Sequence, residues 1–286
     1  MTIFDLVIVG GGPAGLAAGL QASHMGLNIK IMEKHRWGGR LGLARKVENV
    51  PGLTRPYSGT QVVRRLMVQV HHAGLSTEFE TCELIDHPAA NFVLKGSLNT
   101  YESRTVIVAT GVRPKQLAIQ GIDPHDSKLF YSWRELPRKK GVRVAIIGGG
   151  EAAFDQACTL AEKSASVVVL IRSRKPRAFE ILVQEAKSLG VDLIPNATIE
   201  WVETKDQEML IHLSDGLNTT IIVDYLLVAI GTTPAEIAIS DSAFAEVGRG
   251  LFWAGDVCSG SYRQAAIAFG DGVRKAMIVY DYVKGH

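Results

Sequence analysis

The sequence predicts an α/β protein with two parallel-sheet domains, the second inserted into the first. Two glycine-rich loops, at residues 10–15 (GGGPAG) and 148–153 (GGGEAA), each follow a short strand rich in β-branched residues and precede a helix-like segment. Two other strand-like segments, ending near residues 111 and 231, are each stopped by Gly and then Pro. These segments mark where the chain leaves and re-enters the first domain.

The first glycine loop lies between a strand at residues 4–9 and a helix at residues 16–25, and a second strand at residues 28–33 ends in an acid. Glycine allows the tight turn, a close approach of a pyrophosphate and tight helix–strand packing, while the acid accepts hydrogen bonds from ribose hydroxyls. The alternative is a tight glycine turn of an ordinary α/β protein. The preferred interpretation is a Rossmann-like dinucleotide site formed by Gly10, Gly12, Pro13, Ala14, Gly15 and Glu33.

The second glycine loop repeats this order, with a strand at residues 142–147, a helix at 154–163 and a strand at 166–171. That last strand is followed by arginines instead of a carboxylate, and guanidinium groups suit a ribose 2′-phosphate. This predicts a second Rossmann-like site that prefers NADP(H), whereas Glu33 favours an unphosphorylated ribose such as that of FAD. A solvated basic loop is the alternative. The predicted NADP contacts are Gly148, Gly150, Glu151, Ala152, Arg172, Arg174, Arg177, Ile230 and Gly231.

The two connecting strands, at residues 105–111 and 225–231, set the predicted domain boundaries. Residues 1–114 and 232–286 form a discontinuous FAD-binding domain, and residues 115–231 form the inserted NAD(P)H-binding domain. Near the C-terminus, a strand ends in Gly255-Asp256, and a helix begins near Gln264. A carboxylate there suits ribityl hydroxyls, and the positive end of the helix suits negative charge on a flavin.

Composition excludes several other classes of protein. The chain has 31 Lys+Arg and 29 Asp+Glu, a net charge of +2, which argues against nucleic-acid binding. Cys82, Cys158 and Cys258 form no metal or disulfide pattern, and we expect no bound metal. No apolar run is long enough for a transmembrane helix, and the N-terminus lacks the basic start of a signal peptide, so we expect a cytoplasmic protein that binds no membrane.

Further motifs resemble those of the low-molecular-weight thioredoxin reductase family along nearly the whole chain. They are residues 38–41 (GGRL) with 48–52 (ENVPG), 109–111 (ATG), and 255–256 (GD) with 262–265 (YRQA); the arginine loop is similar to the family's NADPH motif but one residue shorter. The resemblance implies FAD in the first domain, NADPH in the second, and a homodimer. It adds these FAD contacts: Arg40, Leu41, Asn49, Ile85, Ala109, Thr110, Gly111, Asp256, Arg263, Gln264 and Ala265.

The sequence departs from that family at residues 131–135 (YSWRE), which correspond to the family's CxxCD redox pair. Tyr131 and Arg134 carry no thiols, so we expect no internal disulfide relay. The chain then resembles the thioredoxin-reductase-type ferredoxin–NADP reductases, which implies hydride transfer from NADPH to flavin and electron delivery to a ferredoxin- or flavodoxin-like protein. Glu135 is the only candidate acid or base, and this half-reaction requires none.

The sequence is also compatible with two other functions. One is a reductase that acts on an external disulfide or is driven by a protein donor, and the other is a non-catalytic flavoprotein that uses FAD or NADP(H) as a structural or sensing ligand. A run of basic residues, Arg134, Arg138, Lys139, Lys140 and Arg143, predicts a docking site for an acidic carrier, with a solvated linker as the alternative.

Overall fold

The computed structural model describes residues 2–76, 78–123, 125–205, 207–214 and 219–285 of the chain. Residues 3–114 contain β1 (Ile3–Val9), α1 (Pro13–His24), β2 (Ile29–Met32), a 3₁₀ helix (Gly39–Leu43), α2 (Gly59–His72), β3 (Cys82–Asp86), β4 (Phe92–Gly96), β5 (Thr100–Val108) and β6 (Val112–Pro114). Between residues 129 and 228 lie β7 (Leu129–Phe130), β8 (Arg143–Ile147), α3 (Glu151–Glu162), β9 (Ser166–Ile171), α4 (Glu180–Ser188), β10 (Asp192–Pro195), β11 (Ile199–Lys205), β12 (Glu208–Leu213), β13 (Thr220–Val223) and β14 (Tyr225–Val228). Residues 232–284 contain β15 (Thr232–Pro234), β16 (Ala238–Ile239), α5 (Asp241–Phe244), β17 (Leu251–Trp253), a 3₁₀ turn (Gly255–Val257) and α6 (Ala265–Lys284).

The chain divides into two compact units. Unit 1 consists of Met1–Arg113 and Pro234–His286, and unit 2 consists of Pro114–Thr233. The boundaries expected from sequence, after residues 114 and 231, lie within two residues of this division.

Unit 1 is built on a seven-stranded sheet in the order β16-β3-β4-β5-β1-β2, with β17 also pairing with β5. Strands β2, β1, β5 and β17 are parallel, with Ile8 opposite both Ile31 and Ile107. Most of their apolar side chains are buried, including Leu6, Val7 and Ile8 of β1 and Val106 and Ile107 of β5, which are fully buried, as expected for a parallel sheet covered on both faces. This parallel part brings the end of β1, where the first glycine loop begins, next to the end of β5.

Unit 2 repeats the same construction on a smaller scale. Strands β10, β9, β8, β14 and β7 form a parallel five-stranded sheet in that order, and β11, β12 and β13 form a separate antiparallel sheet. The core of the parallel sheet is continuous with the buried face of α3, where Phe154, Ala157 and Cys158 are fully buried. The second glycine loop therefore begins at the end of β8, beside the end of β14.

Helices α1 and α6 pack unusually closely in unit 1. A methyl group on Gly272 of α6 would lie 2.1 Å from the carbonyl oxygen of Ala14 in α1, so only glycine permits this approach. The approach places the start of α1 near the 3₁₀ turn that carries Asp256, since a methyl group on Gly255 would lie 2.6 Å from Ala14 Cβ. Two segments far apart in the chain, the first glycine loop and the Gly-Asp turn, are thus brought together.

Candidate functional site

The first glycine loop has one open position between two tightly packed ones. A methyl group on Gly10, whose φ is +114°, would lie 2.3 Å from the Ala109 carbonyl oxygen, and one on Gly15 would lie 1.8 Å from the Gly10 carbonyl oxygen. A methyl group on Gly12 would meet no protein atom within 4 Å. Gly12 is also the N-cap of α1, and no side chain caps that helix. The open space and the uncapped helix start, with Pro13 and Ala14 in the first turn, suit a pyrophosphate.

Glu33 is held beside this loop by three backbone donors. Its Oε2 accepts from Gly11 N at 2.7 Å, and its Oε1 accepts from His35 N and Arg36 N at 2.9 and 3.0 Å. A carboxylate has about four acceptor positions, so Oε2 retains one for a ribose hydroxyl. The residues present at this loop therefore fit the adenosine half of FAD.

The predicted flavin contacts come from widely separated segments that meet in unit 1. Asn49 Nδ2 donates to Gln264 Oε1 at 2.9 Å, across 215 residues of sequence. Gln264 is the N-cap of α6 and Ala265 its first residue, and no side chain caps this helix start. The start of α6 is therefore free to favour negative charge placed against it.

Asp256 lies in the same region as two cations. Burial raises the pKa of its carboxyl group, and the nearby guanidinium groups of Arg263 and Arg40 oppose that shift. The three charged groups of Arg40, Asp256 and Arg263, which come from three different segments, therefore act on one another electrostatically. The Asp256 carboxylate can accept hydrogen bonds from ribityl hydroxyls while the two guanidinium groups offset its negative charge.

Other predicted FAD contacts have defined positions in unit 1. Thr110 Oγ1 donates to the Ala235 carbonyl at 2.7 Å, and Gly111, with φ +69°, accepts from Ala235 N at 2.9 Å. Leu41 is buried with Val47 and Val62. Ile85 is fully buried in the core, and its carbonyl accepts from Ser240 N at 2.9 Å.

Sequence reasoning missed Asp271, which organises the Gly-Asp turn. Asp271 Oδ2 accepts from Gly255 N at 2.8 Å, and Oδ1 pairs with Arg274 Nη2 at 2.7 Å. Burial raises the pKa of Asp271, but these two hydrogen bonds outweigh it, and the resulting pKa is below the ordinary value. The only sequence signal is an Asp and an Arg three residues apart on a helix, which is too common to indicate a site.

The second glycine loop reproduces the geometry of the first. A methyl group on Gly148, whose φ is +146°, would lie 2.4 Å from the Ala229 carbonyl oxygen, just as Gly10 faces Ala109. A methyl group on Gly150 would meet nothing within 4 Å, and Gly150 caps α3 without a side-chain hydrogen bond. Glu151 and Ala152 form the first turn of α3, and Ile230 and Gly231 follow β14. Unit 2 therefore presents a second open position at an uncapped helix start, which suits a pyrophosphate.

The basic loop after β9 folds back onto this second opening. The backbone N–H groups of Arg177 and Ala178 donate to the Gly149 carbonyl at 2.7 and 3.1 Å. Arg172, Arg174 and Arg177 are exposed, and within the described part of the chain their guanidinium groups form no ion pair. Their charge is available for a phosphate on the ribose.

The residues at the position of the family's cysteine pair form a local turn. Glu135 Oε2 accepts from Tyr131 N at 3.3 Å, and Glu135 N donates to the Ser132 carbonyl at 3.0 Å. Tyr131 OH accepts from Leu117 N at 3.2 Å. Glu135 is exposed, and this geometry assigns its carboxylate to the turn.

Arg143 does not belong with the basic run in which the sequence places it. Its Nη2 contacts Glu208 Oε1 at 2.5 Å and Asp224 Oδ1 at 2.7 Å. The backbone N–H of Arg143 donates to Asp224 Oδ2 at 2.7 Å. These bonds hold the pKa of Asp224 below its ordinary value. Since its charge is neutralised by two carboxylates, Arg143 joins β8 to β12 and to the β13–β14 connection, and it cannot attract an acidic partner.

The three thiols are poorly suited to nucleophilic chemistry. Burial raises the pKa of Cys82 to about 12 and also raises that of Cys258, with Asp271 adding to the second shift. Cys158 is fully buried in α3. Because the thiolate is the reactive form, a raised pKa makes a cysteine inert near neutral pH.

Comparison with known proteins decides the family. Residues 4–272 match the family model described as pyridine nucleotide-disulphide oxidoreductase. The chain belongs to this family. It is 29% identical over 306 residues to the thioredoxin reductase of Ureaplasma parvum, covering 98% of the chain and 97% of the relative, and 29% identical over 297 residues to that of Spironucleus barkhanus, covering 95% and 96%.

Solved structures of similar fold include thioredoxin reductases and a bacillithiol disulfide reductase. Thioredoxin reductase of T. acidophilum matches with TM-score 0.84 at 25% identity, covering 98% of this chain and 99% of that one. That of Lactococcus lactis matches with TM-score 0.86 at 21% identity, covering 99% and 100%. A bacillithiol disulfide reductase of Bacillus cereus matches with TM-score 0.78 at 18% identity over both whole chains.

Family membership and the two loops together establish the coarse chemistry. The chain is a thioredoxin-reductase-like flavoprotein oxidoreductase with two Rossmann-like sites, and its cofactors are FAD and NADP(H). Among the described residues, no grouping of His, Cys, Asp and Glu suits a metal ion. No helix in the same part of the chain is long and apolar enough to cross a bilayer.

Proposed function

We propose that this pyridine nucleotide-disulphide oxidoreductase transfers electrons from NADPH through FAD to an external acceptor, a small redox protein of the ferredoxin or flavodoxin type. The observation that carries the proposal is the combination of two complete dinucleotide loops with a cysteine-free turn at residues 131–135. By likeness to the thioredoxin reductases we also propose a homodimer.

Bound FAD would supply the central chemistry, because a flavin accepts a hydride from a nicotinamide and releases electrons to an acceptor. The protein's contribution is binding, orientation and charge. Gly12 and the start of α1 receive the pyrophosphate, Glu33 fixes the adenosine ribose through its remaining acceptor position, and Asp256 hydrogen-bonds the ribityl chain. The uncapped start of α6, at Gln264 and Ala265, favours negative charge on the reduced ring.

The second site delivers the nicotinamide. Gly148 and Gly150 with the start of α3 hold the NADPH pyrophosphate, and Arg172, Arg174 and Arg177 bind the 2′-phosphate. No side-chain acid or base is required for hydride transfer, which fits the structural use of Glu135 within its own turn.

The decisive experiment is an anaerobic absorbance titration of the FAD-loaded protein with NADPH and then with NADH. We expect NADPH to bleach the flavin band promptly and NADH to do so at much higher concentration. Absence of bleaching with either nucleotide would contradict the proposal, and it would favour a protein electron donor or a non-catalytic flavoprotein.

A second candidate function keeps disulfide chemistry on an external substrate. Its support is that the two relatives named above are thioredoxin reductases and that this chain matches them over nearly their whole length. The titration is therefore followed by NADPH-driven assays with thioredoxin and with a small disulfide. Turnover of a disulfide without turnover of a one-electron carrier would select this second function over the first.

A further inference from the structure

Unit 2 carries a patch of exposed cations around one tryptophan. We define the Trp133 surface as residues 131–141 together with residues 162–164. Its exposed cations are Arg134, Arg138, Lys139, Lys140 and Lys163. The nucleotide loops described above use none of these five side chains.

The tryptophan orders this surface. Arg134 Cζ lies 4.9 Å from the Trp133 ring centroid and Lys163 Nζ lies 5.2 Å from it, so two cations from different segments contact the same ring. The backbone N–H of Trp133 donates to Gln156 Oε1 in α3 at 2.9 Å. Leu136, three residues on, is buried in the core of the unit. The patch is therefore anchored to α3 and to the core, and is not a freely moving linker.

A backbone hydrogen bond brings the remaining cations to the same place. Gly141 N donates to the Ser164 carbonyl at 2.9 Å, immediately after Lys163. Arg138, Lys139 and Lys140 precede Gly141, so their backbone lies close to Lys163, which follows the last residue of α3. The five cations therefore come from two separate chain segments that this hydrogen bond joins.

The net charge of the Trp133 surface exceeds that of the whole chain. Its five cations face two carboxylates, Glu135 and Glu162, which leaves an excess of three positive charges. The rest of the chain has 26 basic and 27 acidic residues, a balance of −1. A local excess of positive charge attracts a negatively charged partner to the surface that carries it.

We propose that the Trp133 surface docks an acidic electron-carrier protein, an iron–sulfur or flavin protein that accepts one electron at a time. The identification rests on charge complementarity to an acidic partner and on the contact of Arg134 with Trp133, since arginine and tryptophan are enriched among the residues that dominate binding at protein interfaces. It deepens the proposed function, on which it rests for the direction of electron flow. One NADPH then reduces two carriers by one electron each and leaves NADP⁺ and one proton.

The experiment measures binding separately from catalysis. The probe is a recombinant acidic [2Fe–2S] ferredoxin, titrated into the FAD-loaded protein by calorimetry at 20 and 300 mM NaCl. The test variant is Lys139→Glu/Lys140→Glu, and the matched control is Lys187→Glu/Lys205→Glu, which reverses two exposed lysines elsewhere in unit 2. NADPH-dependent bleaching of the flavin is recorded for every protein as an independent check of its nucleotide sites.

We expect the Kd of the wild type to rise about tenfold or more between the two salt concentrations, because the Debye length shortens. At low salt the test variant weakens binding by about tenfold or more, and the control by less than twofold. Equal weakening in the two variants, no binding at low salt, or equally tight binding of ovalbumin, an acidic protein without a redox centre, would overturn the docking proposal. Ferredoxin binding without flavin bleaching would instead contradict the proposed function and leave the docking surface intact.

Discussion

At the scale of single residues, one added methyl group distinguishes a glycine that the fold requires from one that the cofactor requires. In Gly15→Ala the new methyl lies 1.8 Å from the Gly10 carbonyl oxygen, so we expect a loss of about 1–3 kcal/mol in unfolding free energy. In Gly12→Ala it meets no protein atom within 4 Å, so the apoprotein should keep its stability. The methyl occupies the space of the pyrophosphate, and we expect FAD affinity to fall tenfold or more.

Thermal unfolding of both apoproteins and fluorescence titration with FAD measure these two effects. The same comparison applies to the second loop, where Gly148→Ala should destabilise the fold and Gly150→Ala should weaken NADPH binding. Wild-type FAD affinity in Gly12→Ala would contradict the assignment of the first loop.

The arginines of the basic loop provide a test of nucleotide choice. A charge-assisted hydrogen bond to a phosphate contributes about 1.5–3 kcal/mol, so Arg172→Ala/Arg177→Ala should weaken NADPH binding by a hundredfold or more. NADH has no 2′-phosphate and should lose little. Isothermal titration with both nucleotides measures the difference, with Lys187→Ala as a control for loss of surface charge in the same unit. Equal losses for NADPH and NADH would remove the NADP assignment.

At the scale of secondary-structure elements, the ion-pair network of Arg143 makes stability depend on pH. Hydrogen bonds from Arg143 lower the pKa of Asp224 in the folded state. A carboxyl group whose pKa is lowered by folding stabilises the folded state at pH values above its pKa in the unfolded chain, about 3.9. That stabilisation is lost as the pH falls through its pKa in the folded state. Because the Arg143 side chain is 40% exposed, solvent screening limits the effect to about 1 kcal/mol.

Asp224→Asn should therefore lower the Tm by roughly 2–4 °C at pH 7, and the difference from wild type should shrink below about pH 4. Differential scanning calorimetry at several pH values measures this. Asp192→Asn provides the control, because this exposed residue of β10 makes no side-chain hydrogen bond or ion pair within the described part of the chain. A Tm difference that grows toward low pH would be inconsistent with the assigned network.

The elements also show which kinds of information the sequence contains. The two glycine loops could be predicted because each position has a local steric reason, and the expected strands and helices of both βαβ units lie within a few residues of those observed. The antiparallel strands β11, β12 and β13 were not predicted, since short alternating segments carry weak signals. Buried Glu80 was also missed, because its acceptor role for Leu98 N, Asn99 N and Tyr101 OH depends on a hairpin that only the fold creates.

The flavin side of the site illustrates the same limit. Asn49 and Gln264 were identified through family motifs, but their mutual hydrogen bond across 215 residues has no signal in either segment alone. Arg143 was placed in a basic run because adjacent charges look alike in sequence. Only the register of β8 against its neighbours shows that two carboxylates already neutralise it.

At the scale of the whole molecule, the cysteines distinguish an external acceptor from an internal thiol relay. Burial raises the pKa values of Cys82 and Cys258, and Cys158 is fully buried, so none of the three thiols is activated as a nucleophile. The Cys82→Ser/Cys158→Ser/Cys258→Ser protein should therefore be reduced by NADPH, and pass electrons to a one-electron carrier, at rates within about twofold of the wild type. Stopped-flow absorbance under anaerobic conditions measures both steps.

Cys158→Ser places a hydroxyl in the core, so Cys158→Ala is prepared in parallel to separate loss of folding from loss of chemistry. The two single variants Cys82→Ser and Cys258→Ser show which thiol matters if the triple variant is impaired. A variant that retains flavin reduction but loses carrier reduction through Cys258 alone would place a thiol between the flavin and the acceptor. In that case Cys258, at the Gly-Asp turn of unit 1, would be required for electron transfer from the flavin to the acceptor, and the prediction that the thiols take no part would be wrong.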